Sequence, residues 1–541
     1  MTNSIPDPIQ IGIDSGWHVI DAAMLNANLT LEADVVIVGT GAGGGVTAEI
    51  LTLAGLKVIL IEEGALKSSR DFKMREAQAY PTLYQESAAR KTKDKAINIL
   101  QGRTVGGSTT VNWTSSFRTP PGTLHFWQEH YGLKDYSPEA MAPWFEMMEQ
   151  RLSVIEWQTA PNENNDLLQR GAKQLGIPTS AIRRNVKGCW NLGYCGMGCP
   201  TNAKQSMLVT TIPSALSKGA TLITHARADR LHIENDAVQA LHCHALDASG
   251  LRTSGKVVTI KARHYVVSGG AINSPALLMR SKAPDPHHLL GKRTFLHPTV
   301  VSAALFDQAV DGFNGAPQTI YSDHFMDTQA IDGPVGYKLE TPPLHPLLFS
   351  TTMAGFGAEH AAMMKQFNHT HVILALLRDG FHEESRGGTV HLRDDGYPVL
   401  DYTMSNAMWD GVKRALLTMA EIQFAAGAKN VYPLHEQATG YTTWAAARQA
   451  IEGLPYQPTL TRVVSAHVMG GCPMSDDAKL GMVSSTGQFH GVGNLSVHDG
   501  SLFPTSIGAN PQLSIYGLTA RLASGLAEKL TGKPAPRLVA G

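Results

Sequence analysis

The residues best suited to chemistry lie near the C-terminus, in SAHVMGGCPM and, further on, SIGANPQLS. His467 stands just before a Gly-Gly turn. There, a side chain at the end of a strand projects into a site rather than into a core. Neutral imidazole at such a position can take a proton from a substrate at ordinary pH. Asn510 precedes Pro511, which biases it to an extended backbone, so its amide can hold a substrate oxygen opposite the histidine. The residues after Pro511 read as an amphipathic helix, whose N-terminus favours negative charge. With 22 histidines in the chain most must be structural, and it is the Gly-Gly and Asn-Pro context that singles out His467.

Such a pair needs elements to position it and a cofactor to work against. ADVVIVGTGAGGGVTAEILTLAGLKVILIEEG reads as strand, tight turn, helix, strand. Val35 to Val38 form the continuous apolar run of a strand covered on both faces. Gly39, Gly41 and Gly44 make G-x-G-x-x-G: the first for the turn, the second for close approach to a pyrophosphate, the third for helix–strand packing. Phosphate then sits on free N–H groups at the helix N-terminus. Glu62, ending the second strand, can accept hydrogen bonds from both ribose hydroxyls, which argues against a 2′-phosphate and so against NADP. These residues alone leave NAD and FAD open.

A second glycine loop follows in QGRTVGGSTTVNW. Gly106, Gly107 and Ser108 can lie flat against a planar ring or a phosphate. Arg103 can neutralise a phosphate and Asn112 can hydrogen-bond a ring carbonyl, the alternative being a surface turn that caps a helix.

Composition narrows the class. The 541 residues exceed what one hydrophobic core usually serves, and 43% apolar with 17% charged residues suits a buried globular enzyme. A formal net charge of −1 gives no field for binding nucleic acid. No apolar run is long enough to span a bilayer, no basic region followed by an apolar one opens the chain, and five cysteines do not make a disulfide framework. The expectation is a cytoplasmic protein, with peripheral membrane contact left open.

The four segments 34–64, 102–112, 266–281 and 467–525, in that order, resemble the glucose–methanol–choline (GMC) oxidoreductase family. TVGGSTTVNWTSSFRTP and GCWNLGYCGMGCPTNAKQS are most similar to the long-chain fatty alcohol oxidase branch, and cholesterol oxidase is a more distant relative. Two positions depart from the family pattern, Ser116 and Lys282, and neither touches the presumed chemistry. The resemblance implies an α/β (α+β) fold, with a discontinuous Rossmann-like FAD-binding domain and a substrate domain built on a mainly antiparallel sheet. It implies FAD, with His467 and Asn510 before the flavin N5. It further implies Ala228 against the adenine, and Asp499 and Gly500 against the ribityl and pyrophosphate part, with Pro511 also on the cofactor. The substrate would be an apolar primary alcohol, and oxygen or another acceptor would reoxidise the flavin. The alternatives are a hydroxynitrile-lyase-like enzyme without net redox, or oxidation of a sterol or another secondary or aromatic alcohol. An NAD dehydrogenase and a non-catalytic flavin- or metal-binding subunit are further readings.

The division expected is 30–125, 200–305 and 460–541 for FAD, 126–199 as a lid-like excursion, and 306–459 for substrate. Cys189, Cys195 and Cys199 form C-x5-C-x3-C, one thiol short of the usual four for zinc or an iron–sulfur cluster, so no metal is expected. The bland reading of that segment is a glycine-rich loop packed over the flavin. Glu340 is a possible second acid near the site.

Overall fold

The computed structural model describes residues 5–326 and 328–540. Its first sheet is built around the dinucleotide unit. Leu29–Val38 lies between Val58–Ile61 and Thr253–Val267, all parallel, and Thr221–Thr224 and His18–Asp21 extend the parallel run on one side. On the other side Ala237–Leu246 and Ala226–Glu234 add antiparallel strands, while Leu495–Val497 pairs in parallel with the end of Thr253–Val267. Successive side chains of a strand point to opposite faces, and here both faces are covered. Val36, Val38, Ile59 and Ile61 enter one core, and Val35, Ile37, Val58 and Leu60 enter the other. That is why Val35–Val38 and Val58–Ile61 carry no polar alternation.

Gly39 ends the first strand at φ +101°, where a Cβ would lie 2.3 Å from the Ser268 carbonyl oxygen. The turn then feeds helix Ala42–Leu53, which packs against the C-terminal helix Gln512–Thr531. The carboxyl ends of the four neighbouring parallel strands therefore deliver Gly39–Gly41, Glu62, Ser268–Gly270 and Asp499–Gly500 to one edge of the sheet. Ligands of such sheets bind outside that edge.

The second sheet runs Ile97–Ile99, Val463–Ser465, Thr299–Leu305, Thr370–Leu377, Tyr337–Glu340, Ile320–Ser322, Ser180–Ala181, with Asn430–Pro433 also pairing with Thr299–Leu305. It is antiparallel apart from the first pair. Val300, Ala304, Ile373, Ala375 and Leu377 pack under helix Asn406–Ala425, and Thr299, Val301, Val372, Leu374 and Leu376 face a cavity. The alternation is the reason this sheet can roof a site with one face and hold a core with the other.

Strand pairing crosses the boundaries drawn from the sequence. Ile97–Ile99, Thr299–Leu305 and Val463–Ser465, expected with the FAD-binding lobe, pair in the second sheet. Within 126–199, Pro138–Arg151 packs on the C-terminal helix, while Leu167 and Leu168 of Glu163–Gln174 join the core beneath Asn406–Ala425. That stretch supplies core to both layers because its leucines are buried against them. Among the described residues no helix is long and apolar enough to cross a membrane.

Candidate active site

A cavity of about 830 Å³ opens between the edge of the first sheet and the inner face of the second. That is toward the upper end of ligand sites, which run about 300–1,000 Å³. Gly39, Gly41, Glu62, Gly107, Ser108, Asn112, Ala228, Asp499, Gly500, Pro511, His467 and Asn510 all line it. Residues far apart in the chain thus meet at one site.

The two glycine loops cross at its floor. A Cβ on Gly107 would lie 2.7 Å from the Gly41 Cα, so backbone meets backbone there. Thr40 Oγ1 accepts from the Gly106 N–H at 3.0 Å and donates to Glu62 Oε2, tying the second loop to the first. Gly106 thereby supports the floor from behind it. Gly44 works one layer down, where a Cβ would sit 2.0 Å from the Gly39 carbonyl oxygen. Glu62 also accepts from the Thr40 and Gly64 amides, and burial pushes its carboxyl above the ordinary range. Asp499 is held by the Gly270 amide at 2.8 Å and by the hydroxyls of Ser274 and Ser501.

Four expectations change. Arg103 does not face the cavity: its guanidinium pairs with Glu63 at 3.0 Å and donates to the Gly250 carbonyl. Arg280 is a cation on the wall there, as is Arg227, and it donates to the Ala228 carbonyl at 3.1 Å, so that carbonyl is already engaged. Asn112 lines the cavity, but its Nδ2 donates to Gln512 Oε1 at 2.6 Å and its Oδ1 accepts from the Thr114 amide. None of Cys189, Cys195 and Cys199 lines the cavity. Their loop lies behind the 110–114 wall, where Lys204 Nζ donates to the carbonyls of Thr110, Asn112 and Cys195. Arg184 donates to the Trp113 carbonyl and to the Thr114 hydroxyl oxygen. Among the described residues no group of three or more His, Cys, Asp or Glu is placed to hold a metal.

His467 follows strand Val463–Ser465 and reaches the wall with its ring Nδ1 3.1 Å from the Nδ1 of His297. Burial, reinforced by the nearby Lys338 charge, pushes its pKa down to about 4, so the ring is neutral at ordinary pH. Asn510 Nδ2 donates to Glu340 Oε2 at 3.3 Å, and Gln318 Nε2 donates to the same oxygen at 2.7 Å. One amide hydrogen of Asn510 is thereby used, and the second, with Oδ1, remains. Burial raises the Glu340 carboxyl, with Lys338 opposing. Lys338 itself is fully buried, 3.0 Å from Asp323 Oδ1 and 3.3 Å from the Phe117 ring centroid. The 3.0 Å approach lacks hydrogen-bond geometry, so it is an ion pair only.

His297, Gln318, Lys338 and Arg280 were not legible as site residues. The first three lie in ordinary apolar or mixed segments and Arg280 is an unmarked residue at the end of the 266–281 segment, and only the strand pairing of the second sheet, or the packing of helix Gly270–Arg280 on the first, brings each here.

These residues fit a flavin dinucleotide. Gly107 has no room for a side chain and Gly41 is open only toward the cavity, so bare backbone can meet a pyrophosphate there, and the helix N-terminus at Ala42 faces the same space. Sequence profiles described as GMC oxidoreductase match residues 80–299 and 383–519. A long-chain-alcohol oxidase of Arabidopsis thaliana is 27% identical over 93% of this chain and 70% of its own. A GMC-type oxidoreductase of Sinorhizobium fredii is 29% identical over 92% of this chain and 95% of its own. Among solved structures, formate oxidase of Aspergillus oryzae superposes with a TM-score of 0.69 at 14% identity, covering 93% of this chain and 99% of that one. Pyridoxine 4-oxidase gives 0.67 at 18% identity, covering 91% and 98%. With an N-terminal and a C-terminal profile matched in order and the cradle in place, the chain belongs to the GMC oxidoreductase family and is an FAD-dependent alcohol oxidoreductase.

Proposed function

We infer that the protein oxidises an apolar primary alcohol to its aldehyde, with His467 as the base. The observation that carries this reading is a neutral imidazole on the wall of a cavity it shares with Asn510, the glycine cradle and an apolar arm. Bound FAD supplies the acceptor for the hydride that leaves the carbinol carbon. His467 takes the hydroxyl proton at Nε2, the ring nitrogen not facing His297. Asn510 steadies the same oxygen with its remaining amide hydrogen. The alcohol thus loses a hydride and a proton, and oxygen or another acceptor later removes the electrons.

Support for an apolar substrate comes from the far arm of the cavity. Val301, Leu344, Phe349, Met353, Val372 and Leu434 line it and pack together as a separate cluster. A chain of methylenes gains about 0.8 kcal/mol per buried CH₂ in such a place. The long-chain-alcohol oxidase likeness points the same way.

The test is an anaerobic titration of the purified holoenzyme with primary alcohols from butanol to hexadecanol, following the visible flavin band. Bleaching that grows with chain length supports the reading. A flavin that stays oxidised throughout would point instead to a lyase-like enzyme or a different alcohol.

A further inference from the structure

The contact between two histidine rings constrains the base more than His467 alone does. His297 and His467 approach through Nδ1 atoms at 3.1 Å, their ring planes 28° apart. Only one proton can occupy that gap. If His297 carries it, His467 must bear its own proton on Nε2 and cannot accept one from an alcohol. If His467 carries it, Nε2 of His467 is a lone pair facing the cavity. The tautomer of the base is therefore decided by a residue that does not itself line the cavity.

The backbone around His297 is built to hold that ring. His297 has φ +49°, a left-handed conformation that a non-glycine residue adopts at a cost. The Asp379 carboxylate keeps it there, accepting from the amides of Leu296 at 2.9 Å and His297 at 3.0 Å. Tyr402 donates to the same carboxylate at 2.8 Å. Ser465 joins the partners from the other side: its hydroxyl donates to the Leu296 carbonyl and accepts from the His467 amide. Both rings are thus fixed through their main chains as well as through each other.

We propose that His297 is a positioning residue for the reaction: its Nδ1 accepts the Nδ1 proton of His467 and so fixes that ring as the tautomer with a basic Nε2. This rests on the alcohol-oxidation reading of the same site. His297 is wholly buried, and burial together with His467, Lys338 and Arg378 keeps it neutral, so it carries one proton, and with that proton on Nε2 its Nδ1 is an acceptor. When His467 takes the alcohol proton it becomes imidazolium. Its Nδ1–H then makes a charge-assisted bond to His297, stronger than the neutral one it replaces.

Two substitutions separate an acceptor from a filler. His297→Phe removes the acceptor while keeping bulk. His297→Asn puts a carbonyl oxygen on Cγ, where Nδ1 was, on a residue type that tolerates left-handed backbone. The first measurement is the ¹⁵N spectrum of histidine-labelled resting holoenzyme, with the His467 signals identified by their loss in His467→Asn. It should show the proton on Nδ1 in the wild type and in His297→Asn, and on Nε2 in His297→Phe. A wild-type ring protonated on Nε2 overturns the proposal, whatever alcohols do. The second is anaerobic flavin reduction. A general base contributes about 10²–10⁴-fold, so losing its tautomer should cost about 10- to 10²-fold in limiting rate, with little change in alcohol affinity. His297→Asn should recover most of that. Equal losses in both variants, or no loss in either, overturn the proposal. Should His297→Phe not fold, the wild-type tautomer and the Asn variant still decide. If no alcohol reduces the wild-type flavin, the function reading fails while the tautomer result stands separately.

Discussion

Adding one methyl to each of two neighbouring glycines separates cofactor binding from folding. A Cβ on Gly41 would meet only the Gly107 Cα, at 3.8 Å, and the φ −70° of Gly41 suits alanine. Gly41→Ala should therefore cost the protein itself about 0.5 kcal/mol, the difference between glycine and alanine as a helix N-cap. The methyl has room only because Gly41 borders the cavity, where the pyrophosphate is placed by the reading given above. An anion held off the helix N-terminus loses about two charge-assisted hydrogen bonds of about 1.5–3 kcal/mol each. At 1.4 kcal/mol per decade, FAD affinity should fall on the order of 10²- to 10⁴-fold. Gly43 is the contrast: its Cβ would lie 1.7 Å from the His498 carbonyl oxygen, so helix and strand must part by more than an ångström. Gly43→Ala should cost about 1–3 kcal/mol or more by overpacking, with or without FAD. The assays are urea unfolding of the flavin-free proteins and titration of each with FAD by flavin fluorescence. If Gly41→Ala binds FAD as tightly as the wild type, the phosphate placement is wrong. If it unfolds as easily as Gly43→Ala, Gly41 is a packing glycine.

Other expectations follow from single contacts. His467→Ala should keep its FAD and lose about 10²–10⁴-fold in flavin reduction, and an unchanged rate would remove it as the base. The folded His467 pKa of about 4 lies below the ordinary 6.5, so the neutral base persists as pH falls and is lost only on approaching pH 4. Stopped-flow reduction should be flat from pH 8 to about 5 on this account, and an inflection near pH 6.5 would contradict it. Lys338→Met, by removing the cation that disfavours imidazolium, should move the acid limb upward. Lys204→Met leaves one buried and two partly buried carbonyls without this donor, at about 1–3 kcal/mol for a buried group, so it should lower the urea midpoint and loosen FAD. An unshifted midpoint would show that the 110–114 wall does not depend on it. Leu374→Trp should fill the apolar arm and lower kcat/KM for dodecanol relative to butanol by about 10-fold or more, since each methylene buried there is worth about 0.8 kcal/mol. Equal losses for both alcohols would place the substrate elsewhere.

The dinucleotide unit was legible because its physics is local. Turn, phosphate approach and helix packing are set by glycines within six residues, and burial on both faces writes a continuous apolar run. His467 could be singled out for a similar reason, as its Gly-Gly turn is adjacent. What the sequence did not reveal depends on partners far along the chain. Arg103 looks like a phosphate ligand until Glu63, and the Gly250 carbonyl far along the chain, take its guanidinium. Asn112 looks free until Gln512 arrives. His297, one of 22 histidines, has no glycine or acid pattern beside it, and its meaning comes entirely from the ring across the gap.

The low basicity of His467 also limits how the proton can leave. An alkanol hydroxyl is about as weak an acid as water, pKa ~15.7, and the ring has a pKa of about 4. Transferring the proton before any hydride has moved would cost roughly 16 kcal/mol at 1.36 kcal/mol per unit. A turnover of about 10 s⁻¹ corresponds to a total barrier of about 16 kcal/mol, so prior ionisation would leave nothing for breaking the C–H bond. Either the proton moves as the hydride departs, or charge in the site stabilises an alkoxide first. Lys338 suits the second route through its charge: it does not line the cavity, but it is buried, its nearest carboxylate lacks hydrogen-bond geometry, and its charge acts on His467. The two routes differ in their isotope effects. If transfer is concerted, deuterium on the carbinol carbon and on the hydroxyl slow flavin reduction together and multiply. If Lys338 stabilises an alkoxide beforehand, the solvent effect vanishes in the wild type and returns in Lys338→Met. The same cation that helps burial keep the base neutral at low pH would then also be what makes so weak a base sufficient.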